Sequence, residues 1–421
     1  MTTVGRPGAR GDATSSLRAR VAVIAMGLFV TGLGWPGLIG RLPLRLLLKN
    51  ELHLPAQRVA AFWAVGTLAW YLKPVVGLLS DAYPFFGTRR RGYLIFGGLA
   101  STATWLAFAA VPRTYAWLLA VMVALNFALV VISTVVGGML VETGQTHGAT
   151  GRLSALREAL TGVIQLVAGP VGGWLAGRAF GWTVGFGAAI VFSFVPVALL
   201  AAREPEGARA DGAVWVKARL QLATIARSRP MWATAGLVFL FFVSPGFQTS
   251  LLYHQQDVLK FDPQFIGWLD FVAGASALAG AVVYAFTCRR LSLRASLVLG
   301  IALNAGSTLL FLVYASRTSA LLINAVGGGL TMLGWLPLFD LAARATPKGS
   351  ESFGYSLILS VYNVALFGVS DVLGSYLYGG LHWRFTSLVW VNALSTAAVL
   401  LFVPLLPRAL VAAREGARAS G

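Results

Sequence analysis

The 421-residue sequence is poor in most of what a soluble enzyme uses. It has one cysteine, Cys288, so no disulfide can close within the chain. There are four histidines and no His-Glu-x-x-His pattern, and no group of His, Cys or carboxylates has metal-ligand or catalytic spacing. The chain has no Gly-Lys pair and therefore no Walker A phosphate loop, which argues against ATP as its energy source. Charged residues make up 11% of the chain, where soluble domains carry ~25%. Acidic residues are scarcest, 15 against 33 basic ones, for a formal net charge of +18. The basic residues are scattered rather than gathered in one domain, so they read as membrane-topology signals and not as a nucleic-acid surface. These features exclude a soluble enzyme; no cofactor, metal or nucleic acid is implied.

Apolar residues are abundant, at 57%. Runs long enough to cross a bilayer lie at 19–40, 57–79, 92–111, 115–141, 155–178 and 181–202. Six more lie at 230–254, 264–287, 294–315, 318–344, 353–378 and 383–406. The first run continues through Gly32, Gly34, Gly37 and Gly40 with no small-x-small cleavage site, and reads as a retained span. Backbone in lipid must satisfy its own hydrogen bonds, and the runs lack the alternation of a membrane barrel, so they are expected to be helices. The expected fold is an all-α polytopic membrane protein, with twelve transmembrane helices in two six-helix halves. The expected order is a tail at 1–18, one half at 19–202, a polar linker at 203–229, the other half at 230–406 and a tail at 407–421.

With the tails and linker on one side, that side carries 23 Lys and Arg and the other carries 9, while Lys73 falls inside a span. The positive-inside rule then predicts a multi-pass protein of the cell (inner) membrane with both termini cytoplasmic. Arg41, Arg45, Lys49 and Arg58 cluster on the outer side around Leu44 to Leu54, a piece expected to lie along the interface as an amphipathic helix.

Six spans, a linker and six spans is the layout of the major facilitator superfamily. Within it, Trp70 to Tyr93 resembles the signature of the folate–biopterin transporter family at Lys73, Pro74, Gly77, Ser80, Asp81, Pro84, Gly87, Arg89, Arg90 and Tyr93. Pro245 to Gly267 supports the likeness with Tyr253, Leu259, Phe261, Phe265 and Gly267. So does Pro337 to Asn363, with Ala342, Ala343, Arg344, Pro347, Gly349, Glu351 and Asn363. The sequence departs from the family where Gly137 stands in place of an Asp five residues before Glu142. The resemblance implies a secondary active transporter for a folate, pterin or related heterocyclic anion, working by alternating access with proton symport. Its partners would be that small molecule, protons and membrane lipids. The competing reading is a non-transporting or lipid-handling protein on the same fold, an assembly factor or flippase-like protein.

Polar residues inside the spans are the candidate machinery. Lys73 costs roughly 2.5–3.5 kcal/mol at mid-helix, and either snorkels to headgroups or faces a central cavity as a site for an anion. Asn126, Gln165, Gln248, Tyr253, Asn304 and Asn363 could hydrogen-bond a substrate or bond neighbouring helices. Asp270 and Asp371 have no basic residue one turn away and are proton-coupling candidates, whereas Asp340 is expected to pair with Arg344. Asp81 with Arg89 and Arg90 reads as a cytoplasmic latch, for which the resemblance implies the eleventh helix as partner; the alternative is headgroup anchoring. Gly169, Gly173 and Gly177, and Gly181 with Gly185, form small-residue faces suited to close helix packing.

Overall fold

The computed structural model describes residues 8–83, 88, 90–146, 150–199, 212–347 and 351–412. They form helices joined by turns. The first half contains α1 (Gly8–Leu33), α2 (Arg41–Leu46), α3 (Ala56–Gly66), α4 (Leu68–Tyr71), α5 (Lys73–Ala82), α6 (Arg91–Ala110), α7 (Tyr115–Thr146), α8 (Thr150–Ala176), α9 (Phe180–Phe192) and α10 (Phe194–Ala198). The linker contains α11 (Gly212–Ala226), which packs on α5 and α17. The second half contains α12 (Arg229–Phe242), α13 (Gln248–Tyr253), α14 (Pro263–Thr287), α15 (Leu293–Leu309), α16 (Arg317–Ala345), α17 (Glu351–Asn363), α18 (Asp371–Ser375), α19 (Phe385–Ala398) and α20 (Arg408–Val411). The membrane face near α11 is the linker face below, and the opposite one the distal face.

Among the described residues, nine helical stretches are long and apolar enough to cross a membrane unbroken. They fall on the third to sixth and eighth to twelfth of the expected spans. The first, second and seventh are broken within the span, for a reason readable in their residues. Trp35-Pro36-Gly37 interrupts the first and Ser244-Pro245-Gly246 the seventh, while Pro74, with no N–H to give, follows the break between α4 and α5. The freed carbonyls find new partners, as lipid-buried backbone must. The Trp105 indole donates to the Gly34 carbonyl at 2.9 Å, and Asn392 Nδ2 donates to the Pro245 carbonyl at 2.9 Å.

The broken spans also show a repeat that is faint in the sequence. After α2 comes a π-helical turn (Leu47–Glu51), then His53 in the left-handed region, then the Leu54 N–H closing back on the Leu48 carbonyl at 3.1 Å. After α13 comes a π-helical turn (His254–Val258), then left-handed Lys260, then the Phe261 N–H closing on Gln255 at 2.9 Å. The same device ends the eleventh span, with His382 left-handed and the Trp383 N–H on Leu377 at 3.0 Å.

Each half has its own apolar core. Phe62, Leu94, Trp105, Met122 and Leu125 anchor the first, and Val238, Leu297, Ile301, Leu338 and Leu341 the second. A third cluster belongs to both: Leu42 and Leu46 of α2 pack with Leu252, Phe261, Ile266, Leu269 and Tyr314 on the distal side. One expectation is corrected here. The segment after Gly40 does not lie along the interface, because Leu42 to Leu48 are buried and α2 packs on α8. Helix α1 begins at Gly8, so its first turns extend through residues read from the sequence as the cytoplasmic tail.

The halves meet most closely along α8 and α14. A Cβ at Gly169 would lie 2.6 Å from the Gly267 carbonyl, and one at Gly267 2.4 Å from that of Gly169. Gly173 is pressed against Pro263 and Gly267 in the same way. Gly181 and Gly185 have open space around them, so only the first part of the glycine series lies at this seam. Gly267→Val is expected to force the two helices apart and destabilise the protein by about 1–3 kcal/mol, read as a lower thermal midpoint in detergent. Gly185→Ala should leave the midpoint unchanged.

Candidate functional site

Arg41, Arg45 and Lys49 follow one another at intervals of four residues, so they form a stripe on one face of α2 and its π turn. Each cation meets a carboxylate of the other half. Arg41 pairs with Asp270 of α14; Arg45 Nη2 lies 3.5 Å from an Asp371 oxygen; and Lys49 Nζ lies 2.5 Å from Asp257. These partners are between 208 and 326 residues apart in sequence.

The three rungs differ in their access to water. The Arg45–Asp371 side chains are only 9% and 10% exposed, while those of Arg41–Asp270 are 35% and 40% exposed. The Lys49 side chain is 11% exposed and that of Asp257 is 53% exposed at the distal end. Asp270 sits about 160° round α14 from the exposed apolar residues Trp268 and Phe286, at 100° per residue. Its exposure is therefore toward the protein interior and not toward lipid. A dry rung thus separates a rung open to the interior from one open to the distal side, and the shared apolar cluster surrounds them.

Asp371 has a second task. Its carboxylate accepts from the Thr249 N–H at 2.9 Å and from Thr249 Oγ1 at 2.6 Å, satisfying the first turn of α13 after the break. Around it, Ser370 Oγ donates to the Ser244 carbonyl at 2.6 Å, and the Gly246 N–H donates to the Ser370 carbonyl at 2.9 Å. Only glycine fits at 374, since a Cβ there would be 1.6 Å from the Gly246 carbonyl. Tyr253 closes the same region by donating to the Leu54 carbonyl across the seam, with Lys49 Nζ 5.0 Å from its ring centroid.

Deeper in the protein, an aromatic layer runs from one half to the other. Trp35 lies 5.6 Å from Trp70 and 6.3 Å from Phe367, which in turn lies 6.4 Å from Tyr362 beside Phe242 and Trp335. Asn126 orients the first two rings, its Oδ1 accepting from the Trp35 indole at 2.9 Å and from the Trp70 indole at 2.7 Å. Its Nδ2 donates to the Met122 carbonyl at 2.9 Å, which leaves one amide hydrogen to offer anything else. Lys73 Nζ stands 5.3 Å from the Trp70 ring centroid and donates to Ser133 Oγ at 2.9 Å. No described carboxylate pairs with Lys73, although the structure pairs cations elsewhere.

The other sequence candidates separate clearly. Gln165 is exposed on the sector of α8 between the row that packs on α14 (Gly162, Gly169, Gly173) and the row that packs on α1 (Ile164, Ala168). Gln248 is exposed at the start of α13, beside Thr249, and Asn363 is half-buried at the end of α17 beside Tyr362. Asn304 is on α15 against Gly334 of α16, within the second half and away from the seam. Asp340 pairs with Arg344 through two hydrogen bonds of 2.9 and 2.8 Å. Of the latch residues, Arg89 and the side chain of Asp81 lie outside the described residues. Arg90 pairs within its own half with Glu142 at 2.7 Å and passes over Gly138, where a Cβ would be 2.6 Å from its Nη1.

Sequence reasoning missed Arg41, Arg45 and Lys49 as site residues and took them for interfacial charges. Their signal was the four-residue spacing within a leucine-rich run. Asp371→Ala is expected to destabilise the protein by about 3–5 kcal/mol, because it leaves Arg45 buried and unpaired and α13 uncapped. Asp270→Ala, whose pair is more than a third exposed, should cost about 1 kcal/mol or less. Thermal unfolding of the two purified variants distinguishes these outcomes.

The model of the BT1 family matches residues 34–419. A folate-biopterin transporter from Synechocystis sp. is 29% identical over 398 residues, covering 88% of this chain and 78% of its own length. Folate transporter 2 of Plasmodium falciparum is 22% identical, covering 76% of this chain and 72% of its own. Among solved structures, the nucleoside transporter NupG superposes with a TM-score of 0.69 at 12% identity, covering 93% of this chain and 98% of its own. A D-xylose-proton symporter gives a TM-score of 0.67 at 13% identity, covering 93% and 97%. The fold is therefore that of the major facilitator transporters, in two helical halves.

Proposed function

Because the chain belongs to the BT1 family of folate–biopterin transporters and is a multi-pass membrane transporter rather than an enzyme, we propose that it moves a folate, a pterin or a related heterocyclic anion by alternating access coupled to protons. It would act in the cell membrane with its termini and linker on the cytoplasmic side, the side favoured by the excess of basic loop residues.

One observation carries this reading: three cations of one half are paired with three carboxylates of the other on the distal side of the seam. Such a ladder closes the distal face while the halves are together there, and opening that face requires all three rungs to part. A protein that only packs in the membrane has no use for charges so costly to bury. The seam position of these charges therefore favours transport over a lipid-handling or assembly role.

The two coupling candidates take different parts. Asp371 accepts three hydrogen bonds in a dry site and serves as the pin of the gate. Asp270 is reachable from the interior, and protonation removes the charge that holds Arg41, so it is assigned the transported proton. Lys73, with no carboxylate among the described residues, is assigned an anionic group of the substrate, and the Trp35–Trp70 pair offers flat faces for a heterocycle.

The decisive measurement is uptake of labelled folate and biopterin into proteoliposomes with and without an inward proton gradient. Wild type should accumulate at least one of them only with the gradient. Asp270→Asn should lose accumulation while keeping exchange of internal for external substrate. Accumulation that survives in that variant removes the proton role from Asp270. Lys73→Gln should weaken folate about tenfold, the loss of one charge-assisted hydrogen bond. Unchanged folate affinity would take Lys73 out of the site.

A further inference from the structure

Arg41 is the only rung cation whose pair opens to the interior, and its guanidinium is already held by a carboxylate there. We propose that Arg41 is itself a substrate site, specific for a carboxylate, and that the substrate's carboxylate takes the place of Asp270 on it. The proposal rests on the reading of Asp270 as the proton carrier and deepens it by naming what neutralises Arg41 once Asp270 is protonated.

The argument is one of charge balance. A guanidinium cannot be deprotonated, so closing the distal face over Arg41 is favoured when an anion faces it, by the modest margin of a pair open to the interior. With no substrate, ionised Asp270 fills that place, as it does here. When Asp270 has taken a proton from water, its neutral carboxyl no longer balances Arg41, and closure leaves a lone positive charge in the seam. When substrate arrives beside an ionised Asp270, closure traps two anions against one cation. Only the empty pair, or a proton on Asp270 together with a carboxylate on Arg41, closes without an unpaired charge. That rule works against a proton leak and uncoupled uptake alike, and favours one proton for each carboxylate seated.

The geometry suits the exchange. An arginine fork matches a carboxylate in two parallel hydrogen bonds, so one carboxylate can replace another without rearranging the helix. The α8 wall beside Asp270 is Gly169, which adds no competing charge, and exposed Gln165 lies one turn away on the interior sector. Among the described residues, the charged or titratable groups near this pair include Arg45 and Asp371 of the next rung, and Tyr314 of the shared distal cluster. Arg45 and Asp371 balance each other, which leaves Arg41 and Asp270 to settle their charge between themselves and the ligand.

Two probes with the same ring test this: pterin-6-carboxylate, which has the carboxylate, and biopterin, which has none. Binding to the purified full chain is measured across a range of pH. Wild type should prefer the carboxylate probe increasingly as pH falls, because protonating Asp270 frees Arg41. Asp270→Asn should bind pterin-6-carboxylate about tenfold more tightly at neutral pH and lose the pH dependence, with biopterin changing less than about twofold. Arg41→Gln should lower the carboxylate probe to the level of biopterin, and Arg41→Lys, which keeps the charge without the fork, should fall between. If both probes shift equally in Asp270→Asn, the change is conformational and the proposal fails. It also fails if Arg41→Gln, or Arg41→Lys where the glutamine variant does not fold, keeps the full wild-type preference. If the preference vanishes in Arg41→Gln while Asp270→Asn still accumulates substrate on a proton gradient, Arg41 stands as the carboxylate site and the proton reading of Asp270 fails.

Discussion

A charge that cannot reach water must be matched within the membrane, and this constraint organises the distal half of the molecule. Three cations stand on one stripe of a short helix, and three carboxylates reach them from three separate elements of the opposite half. Among the described residues, no cation on α2 or its π turn pairs with a carboxylate of its own half, so each half carries an unbalanced set there until the two are together. Association of the halves on this side and neutralisation of the stripe are one event. The apolar cluster around the stripe, built on Leu42, Leu46, Leu252 and Phe261, excludes water from the middle rung and strengthens the pairing there.

The broken helices follow from the same need. An unbroken first span would run its cations straight along the bundle, whereas the turn at Trp35-Pro36-Gly37 lets α2 set out afresh against α8 and the second half. The break at Ser244-Pro245-Gly246 exposes the start of α13, and Asp371 supplies the acceptor that this helix start lacks. One carboxylate thus caps a helix and holds an arginine, tying the local backbone of the seventh span to the seam between halves. The paired π turns with left-handed His53 and Lys260 show that the two halves solved the distal helix end alike, although their residues there differ.

Beneath the gate, the aromatic layer has a different character. Trp35 and Trp70 are held by one amide, Asn126, which fixes the rings and takes up most of its own hydrogen-bonding capacity. Lys73 beside them has no carboxylate partner among the described residues, whereas every rung cation has one. The contrast between a matched ladder and a lysine with no described carboxylate distinguishes the rungs, whose anions the protein supplies in this state, from Lys73.

The sequence alone was enough to establish a helical membrane protein, two blocks of six apolar runs, a polar linker and the Asp340–Arg344 pair. These follow from local rules: a helix in lipid closes its own hydrogen bonds, and residues four apart share a face. The four-residue spacing of Arg41, Arg45 and Lys49 was also legible, but a stripe reveals only that its members point the same way, not what they meet. Their partners lie at least 208 residues off, on elements with no local mark of the contact. Asp270 and Asp371 therefore looked unpaired, and Asn126 and Asn304 could be read equally as substrate ligands or as bonds between helices, until folding brought each to its neighbours. Tertiary structure decided these assignments, because pairing across the seam depends on how two separately folded halves face one another, and no window of sequence contains both.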